Sequence, residues 1–403
     1  MHIFVSAGEP SGDLHAANLI VAMRKRRPDT TFAGFGGPNM TAAGAHLLFP
    51  LVDLAVMWFM RVLLNLHKFV GLLLQADRYF RDVRPDAVVL IDYPGLHWWI
   101  ARRAKARGIP VFYYVPPQIW AWAGWRVSKV RRFVDHVLCS LPFEPAWYQA
   151  RGVAHARYVG HPYFDELAER TIDSDFILAE KSRGGPIVAI LPGSRTQELL
   201  RNVPVMLRAA TALHARRPDA RFAVACLQPR HKTMIEQMAA ALPGTPPLEI
   251  HAARTAEIIR LADVAWAVSG SVGLELMVEA LPTVVLYKVR RFDLLVARRF
   301  IKSKYISLVN LMADAEVMPE YLTEDDVSAE LAGWAGRWLD DPDERARVSA
   351  RLAALRDRVA IPGASDRAAE AILDVLSPTT YRGPHGRAAV PVPAEMEGES
   401  RPA

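Results

Sequence analysis

Cysteine is nearly absent from this chain: 403 residues carry two, Cys139 and Cys226, far apart and each inside an expected strand. That excludes a disulfide framework and a thiolate metal site, and it fits a reducing cytoplasm. Long hydrophobic runs are missing as well. A bilayer span needs about 18 to 20 uncharged apolar residues, and the most apolar stretch, 56–75, is broken by Arg61, His67 and Lys68. The start, "MHIFVSAGEPSGD", has no basic region ahead of an apolar core, so it does not read as a secretory signal. Charge of one sign is also scarce, the net being +6 from 49 basic and 43 acidic residues. With no RNP-like aromatic motif and no zinc-finger spacing, dedicated nucleic-acid binding is excluded; acidic ligands or an anionic surface suit the mild excess better.

What is present is the make-up of a folded enzyme, 51% apolar and 23% charged, long enough for two cores. Short β-rich apolar runs alternate with helical periodicity. Strands are expected at 2–6, 31–35, 87–91, 110–115 and 136–140, with helices at 13–26, 61–83, 97–107, 126–133 and 143–150. Residues 163–184 contain no strand and lead into a second series, with strands near 186–191, 220–226, 247–251, 263–268 and 283–287. Helices near 326–340, 343–359 and 364–376 close it. The rhythm predicts an α/β protein of two doubly wound Rossmann-like domains facing across a cleft, divided as 1–165 and 166–376. Residues 377–403, rich in Pro, Gly and charge, read as a disordered tail.

Ligands of such sheets bind at the carboxyl ends of strands, so the junctions between strand and helix carry the chemistry. Four stand out. In "SAGEPSGD", Gly8 and Gly12 permit a tight turn, Ser11 or Asp13 can cap the helix, and Glu9 points into the cleft; a merely structural turn is equally consistent. In "VVLIDYPG", Asp92 ends an apolar strand and can take a proton from an attacking hydroxyl, although spacing alone favours a helix cap. In "LPGSRTQE", Ser194 and Arg195 open a helix as an anion receptor, with simple Arg195–Glu198 pairing as the competitor. In "SGSVGLE", Ser269, Gly270 and Ser271 open a helix suited to a diphosphate. Glu275 stands one turn further in, placed to accept ribose hydroxyls and one residue too far for a capping box.

These junctions, with "GGPNM", "YYVPPQIWAW", "LPFEPAWY", "VGHP", "YISLVNLMAD" and "MPEYL", resemble the lipid-A-disaccharide synthases from the start to about residue 375. The resemblance implies a GT-B fold and an inverting, metal-independent glycosyltransferase without a cofactor. The implied donor is UDP-2,3-diacylglucosamine, and the acceptor 2,3-diacylglucosamine 1-phosphate. By position it assigns Asp92 and Glu9 to catalysis and Ser194, Arg195, Ser269, Gly270, Ser271, Glu275 and Asn310 to the UDP-sugar. It favours Asp92 as base or charge stabiliser over Asp92 as cap. Departures fall at Trp58 and Arg61, where the family pattern has Gly and Glu, at Thr323 for Gln, at Ser271 for Thr, and at "PGLH" (94–97) for Pro-Asp-Phe-Asn.

A substrate with two acyl chains stays in the bilayer, so the enzyme is expected in the cytoplasm, peripheral to the inner face of the cytoplasmic membrane. Leu63, Leu66, Val70 and Leu73 on the 56–75 helix are the expected lipid face, with the basic stretch 289–304 near anionic headgroups. A buried packing helix is the competing account. Oligomerisation is left open. A related transferase with another acceptor, or a UDP-sugar 2-epimerase, are the alternatives. "DSD" (173–175) resembles a metal motif but reads as solvated charge in the linker, and His161 reads as a hinge hydrogen-bonder.

Overall fold

The computed structural model describes residues 1–55, 66–291 and 303–377. Two all-parallel sheets form the frame. The first has seven strands in the order β3-β2-β1-β4-β5-β6-β7: β1 His2–Ala7, β2 Thr31–Phe35, β3 His46–Phe49, β4 Ala87–Ile91, β5 Val111–Tyr114, β6 His136–Cys139 and β7 Ala156–Tyr158. The second has six, in the order β10-β9-β8-β11-β12-β13: β8 Ile187–Leu191, β9 Arg221–Cys226, β10 Leu248–Ala252, β11 Val264–Val268, β12 Thr283–Lys288 and β13 Glu320–Thr323. Central strands such as β4, "AVVLI", are buried at every residue because helices cover both faces, which parallel pairing requires. The order reverses between β1 and β4 in one sheet and between β8 and β11 in the other, so each sheet opens a crevice at those carboxyl ends.

The first helix begins at Pro10, three residues before the expected start, because proline's fixed φ and missing N–H suit a first turn. Asp13 therefore lies inside the helix and does not cap it. Its buried carboxylate instead accepts from the N–H groups of Gly37 (2.8 Å), Asn39 (2.9 Å) and Met40 (3.2 Å), which opens the helix Pro38–Ala42 and accounts for "GGPNM".

The final helix, Ala364–Leu376, returns to the first sheet. Ala368, Ala369 and Ile372 share a core with Ile3, Leu19 and Val89. Asp165 fixes the return by accepting from the N–H groups of Gly363 (2.6 Å), Ala364 (3.1 Å) and Ser365 (3.0 Å). Trp120, Leu141 and Phe164 pack in one cluster with Ala189, Ala267 and Val359, so apolar contact joins the two halves. The fully buried Glu144 holds Trp120 there, accepting from its Nε1 (3.0 Å) and from the N–H groups of Ser140 and Leu141 (3.0 Å each). Burial pushes the Glu144 carboxyl up to about 7, against those hydrogen bonds. Among the described residues no helix is long and apolar enough to cross a membrane. All of the expected tail except Ser377 lies outside the described residues.

Candidate active site

β1 and β4 are neighbours in register, Ala7 opposite Ile91, so Glu9 and Asp92 leave adjacent strand ends at the crevice. Asp92 and Tyr93 both adopt left-handed backbone conformations, φ 46° and 47°, each costing on the order of 1 kcal/mol or more for a residue with a side chain. The surroundings hold this turn. The Asp92 carbonyl accepts from the Tyr113 hydroxyl (2.8 Å) and from Nδ1 of His97 (2.7 Å). The Tyr93 ring lies against Gly8, where a Cβ would stand 2.3 Å from the ring, so "GE" and "DYP" interlock.

The Asp92 carboxyl is pushed up to about 6, first by burial and then by the like charge of Glu9, against a backbone hydrogen bond from Tyr93 and the nearby His15. A carboxyl with that affinity is half-ionised near pH 6 and mostly ionised above it, which is a state able to accept a proton from a hydroxyl. His15 lies beside, its Nδ1 3.0 Å from Glu166 Oε1 on the linker helix Tyr163–Glu169. His161 accepts from the N–H of Tyr163 (3.2 Å), and burial together with His15 lowers its pKa to about 3, so it stays neutral at the crossing.

In the second half a cavity of about 700 Å³ opens at the ends of β8, β9 and β11. It brings together Ser194, Arg195, Ser269, Gly270, Ser271 and Glu275. The Glu275 carboxylate is buried and already engaged: Oε1 stands 2.5 Å from Arg170 and Oε2 accepts from the Tyr163 hydroxyl at 3.1 Å. Tyr163 and Arg170 also line the cavity, so the linker forms one wall of it. Sequence reasoning passed over both because the linker carries no strand-to-helix junction.

The "LPGSRTQE" loop differs from an open anion cradle. Glu198 Oε2 occupies it, accepting from the N–H groups of Ser194 (3.0 Å) and Arg195 (3.2 Å). Gly193, at φ 113°, has Glu198 where a Cβ would point. The Arg195 guanidinium is 74% exposed and 3.7 Å from Glu198 Oε1, a loose surface pair that leaves it able to meet an anion.

Asn310 is not among the cavity-lining residues. It is fully buried, donating to Met318 O (2.7 Å) and Glu320 (2.9 Å) and accepting from the N–H groups of Val317 (2.9 Å) and Met318 (3.0 Å). Its full hydrogen-bonding capacity fixes the 306–320 segment that leads into β13. Asp173 of "DSD" caps the helix Ser174–Ser182 through Phe176 N (3.0 Å) and pairs with Arg254 (2.8 Å). Among the described residues no cluster of His, Cys, Asp or Glu is arranged to hold a metal ion.

Of the expected lipid face, Leu63 lies outside the described residues and Leu66 begins the helix Leu66–Asp82. Val70 is half exposed and Leu73 intermediate, while Leu74 is exposed and Leu72, Ala76 and Phe80 face the core. This helix packs beside Pro94–Lys105, which packs beside Val127–Phe133, and the layer also leaves Trp99, Trp122 and Trp125 exposed. Arg126 stacks on both of the last two, 4.5 and 5.1 Å from the ring centres. The aromatic run "IWAWAGW" is thus divided, Trp120 in the core and the others at the surface.

Two parallel doubly wound sheets, each with a crevice at its switch point, bridged by a linker and tied by a returning C-terminal helix, define a protein of the GT-B class. Solved structures of that architecture superpose over most of the chain. A UDP-GlcNAc 2-epimerase from Neisseria meningitidis bound to UDP-GlcNAc has TM-score 0.64 at 11% identity, covering 93% of this chain and 100% of its own. MurG of Acinetobacter baumannii has TM-score 0.57 at 13% identity, with 93% and 99% covered. The chain belongs to the lipid-A-disaccharide synthetase family, whose model matches residues 3–347. The lipid-A-disaccharide synthase of Anaeromyxobacter dehalogenans (strain 2CP-C) is 37% identical over 377 residues, 93% of this chain and 97% of that one. That of Myxococcus xanthus (strain DK1622) is 36% identical over 379 residues, with 93% and 98% covered. The protein is therefore a glycosyltransferase of lipid A biosynthesis, and the epimerase alternative is not favoured.

Proposed function

We propose that the cleft transfers diacylglucosamine from its UDP ester to the 6-hydroxyl of 2,3-diacylglucosamine 1-phosphate. The observation that supports the division of labour is that Asp92 stands beside Glu9 at the switch point of one sheet, while the cavity is built on the other. The ionised Asp92 carboxylate takes the hydroxyl proton as the acceptor oxygen attacks the anomeric carbon. The bond from that carbon to the diphosphate oxygen breaks, and UDP leaves with the electron pair. Arg195 and the first-turn N–H groups of the helix Val272–Val278 stabilise the charge that develops on it. Glu275 accepts from the ribose, and Ser194, Ser269, Gly270 and Ser271 shape the diphosphate end. Asn310 supports the site from behind through the backbone of 317–318.

The acyl chains remain in lipid while the glucosamine heads react. The helical layer carrying Val70, Leu74, Trp99, Trp122 and Trp125 supplies an amphipathic aromatic surface for the membrane interface, with Arg126 near the headgroups. Mass analysis after mixing the purified chain with UDP-2,3-diacylglucosamine and the lipid acceptor tests the reaction. A disaccharide phosphate with one UDP released per linkage is expected. Turnover of unacylated UDP-N-acetylglucosamine to its C2 epimer, without acceptor, would overturn it.

Glu275→Ala and Arg195→Ala are each expected to weaken UDP binding by about 1 to 3 kcal/mol, the worth of a charged hydrogen bond. Calorimetry with UDP is the measurement. Unchanged affinity in both variants would put the nucleotide elsewhere.

A further inference from the structure

We propose that His97 is a positioning residue for Asp92: a neutral imidazole that donates from Nδ1 to the Asp92 carbonyl and accepts at Nε2 from the Ser6 hydroxyl. The bond set assigns the tautomer. A carbonyl oxygen only accepts, so Nδ1, at 2.7 Å, carries the hydrogen; Nε2 of the neutral ring is then an acceptor, and Ser6 Oγ stands 2.9 Å from it. His97 and Ser6 are both fully buried, which disfavours an imidazolium and keeps solvent from competing for either bond. Burial takes the His97 pKa down to about 4.

The geometry gives this ring a reach that no single element has. Ser6 lies in β1, one residue before the strand's end; His97 lies in the helix Pro94–Lys105; and the carbonyl they hold belongs to the residue after β4. Tyr113 from β5 shares the same carbonyl. Two successive left-handed residues would relax toward ordinary backbone if that carbonyl were released. Relaxation would swing the Asp92 carboxylate away from Glu9 and the acceptor. His97 itself cannot serve as the base, because both nitrogens are engaged and no part of the ring meets solvent.

This inference rests on Asp92 acting as the base. The test uses the full chain with acylated donor and acceptor. His97→Leu removes both polar atoms and is expected to lower kcat about 100-fold, the effect of a misplacement near 1 Å. KM for donor and the UDP dissociation constant should stay within about twofold, since the nucleotide cavity is built on the other sheet. His97→Asn restores one donor and one acceptor and should recover kcat to within about tenfold of the parent. Ser6→Ala, which changes only the far end of the clamp, should cost about tenfold and is readable if His97→Leu does not fold.

Nitrogen NMR of the ring should show Nδ1 protonated and Nε2 bare from about pH 6 to about pH 8. Near-parental kcat in both His97→Leu and Ser6→Ala overturns the proposal, as does protonation on Nε2. Parallel loss of kcat, UDP affinity and melting temperature that Asn fails to restore also overturns it, making His97 ordinary core. An active Asp92→Asn variant would strike the base assignment itself. An inactive Asp92→Asn beside a fully active His97→Leu would strike only the clamp.

Discussion

Asp92→Asn is expected to lower kcat by about 10²- to 10⁴-fold, the range lost when a positioned general base is removed, while UDP binds as tightly as to the parent. Asn preserves the side-chain shape and leaves the backbone carbonyl free to accept from His97 and Tyr113, so the turn persists. The change therefore isolates the proton-accepting step. The same carboxyl sets a pH limb. Its pKa is raised to about 6, and only the ionised form accepts a proton, so kcat/KM should fall as pH drops through about 6. Glu9 supplies the second cause of that elevation, which gives the sign of a further variant. Glu9→Gln removes a like charge, eases ionisation of Asp92 and moves the limb to lower pH. Near-normal turnover in Asp92→Asn would remove this residue from the mechanism, and a limb unmoved by Glu9→Gln would disconnect the two carboxylates.

How much of this was written legibly in the sequence differs between the centre and the edges. β1, β4, β8 and β11 are five- or six-residue apolar runs because a parallel strand covered on both faces has no polar side, and such runs announce themselves. β3, β7 and β13 were missed. They are edge strands of three or four residues, at most partly buried along most of their length, so neither a continuous run nor a clean alternation marks them. The first helix starts at Pro10 and not at 13, and of the two candidate caps, Ser11 and Asp13, both lie inside it, Asp13 serving a different helix.

The candidate site shows the same division. Glu9, Asp92, Ser194, Arg195, Ser269, Gly270, Ser271 and Glu275 sit at strand-to-helix junctions, and the parallel fold gathers such junctions at one end of each sheet. Asn310 came from motif position alone, and its buried side-chain hydrogen bonds were not readable because those partners lie seven to ten residues ahead. Arg170 and Tyr163 reach the cavity through a contact with Glu275 more than a hundred residues away. No local pattern encodes that pairing. The "PGLH" departure at 94–97 was visible, but only the buried bonds of His97 give it a purpose.

The helix Leu66–Asp82 separates two fates of apolar side chains, and its prediction has the second large effect. Leu72, Ala76 and Phe80 recur every four residues on the core side, and Phe80 meets Phe4 edge-to-face with ring centres 4.9 Å apart. Phe80→Ala should cost about 3 to 5 kcal/mol, from lost transfer energy plus the cavity left behind. At roughly 2 to 4 °C per kcal/mol for a domain of this size, the melting temperature should fall by roughly 6 to 20 °C. On the outer side, Val70 and Leu74 are 50% and 49% exposed, so serine at both removes little packing. Val70→Ser with Leu74→Ser should leave the melting temperature within about two degrees of the parent. It should nonetheless weaken association with anionic liposomes and raise KM for the acylated acceptor, because each lost contact with lipid is apolar area returned to water. Calorimetric melting and liposome sedimentation on the same preparations decide it. If the outer pair proves strongly destabilising while liposome binding is unchanged, the exposed face of this helix has no part in lipid contact.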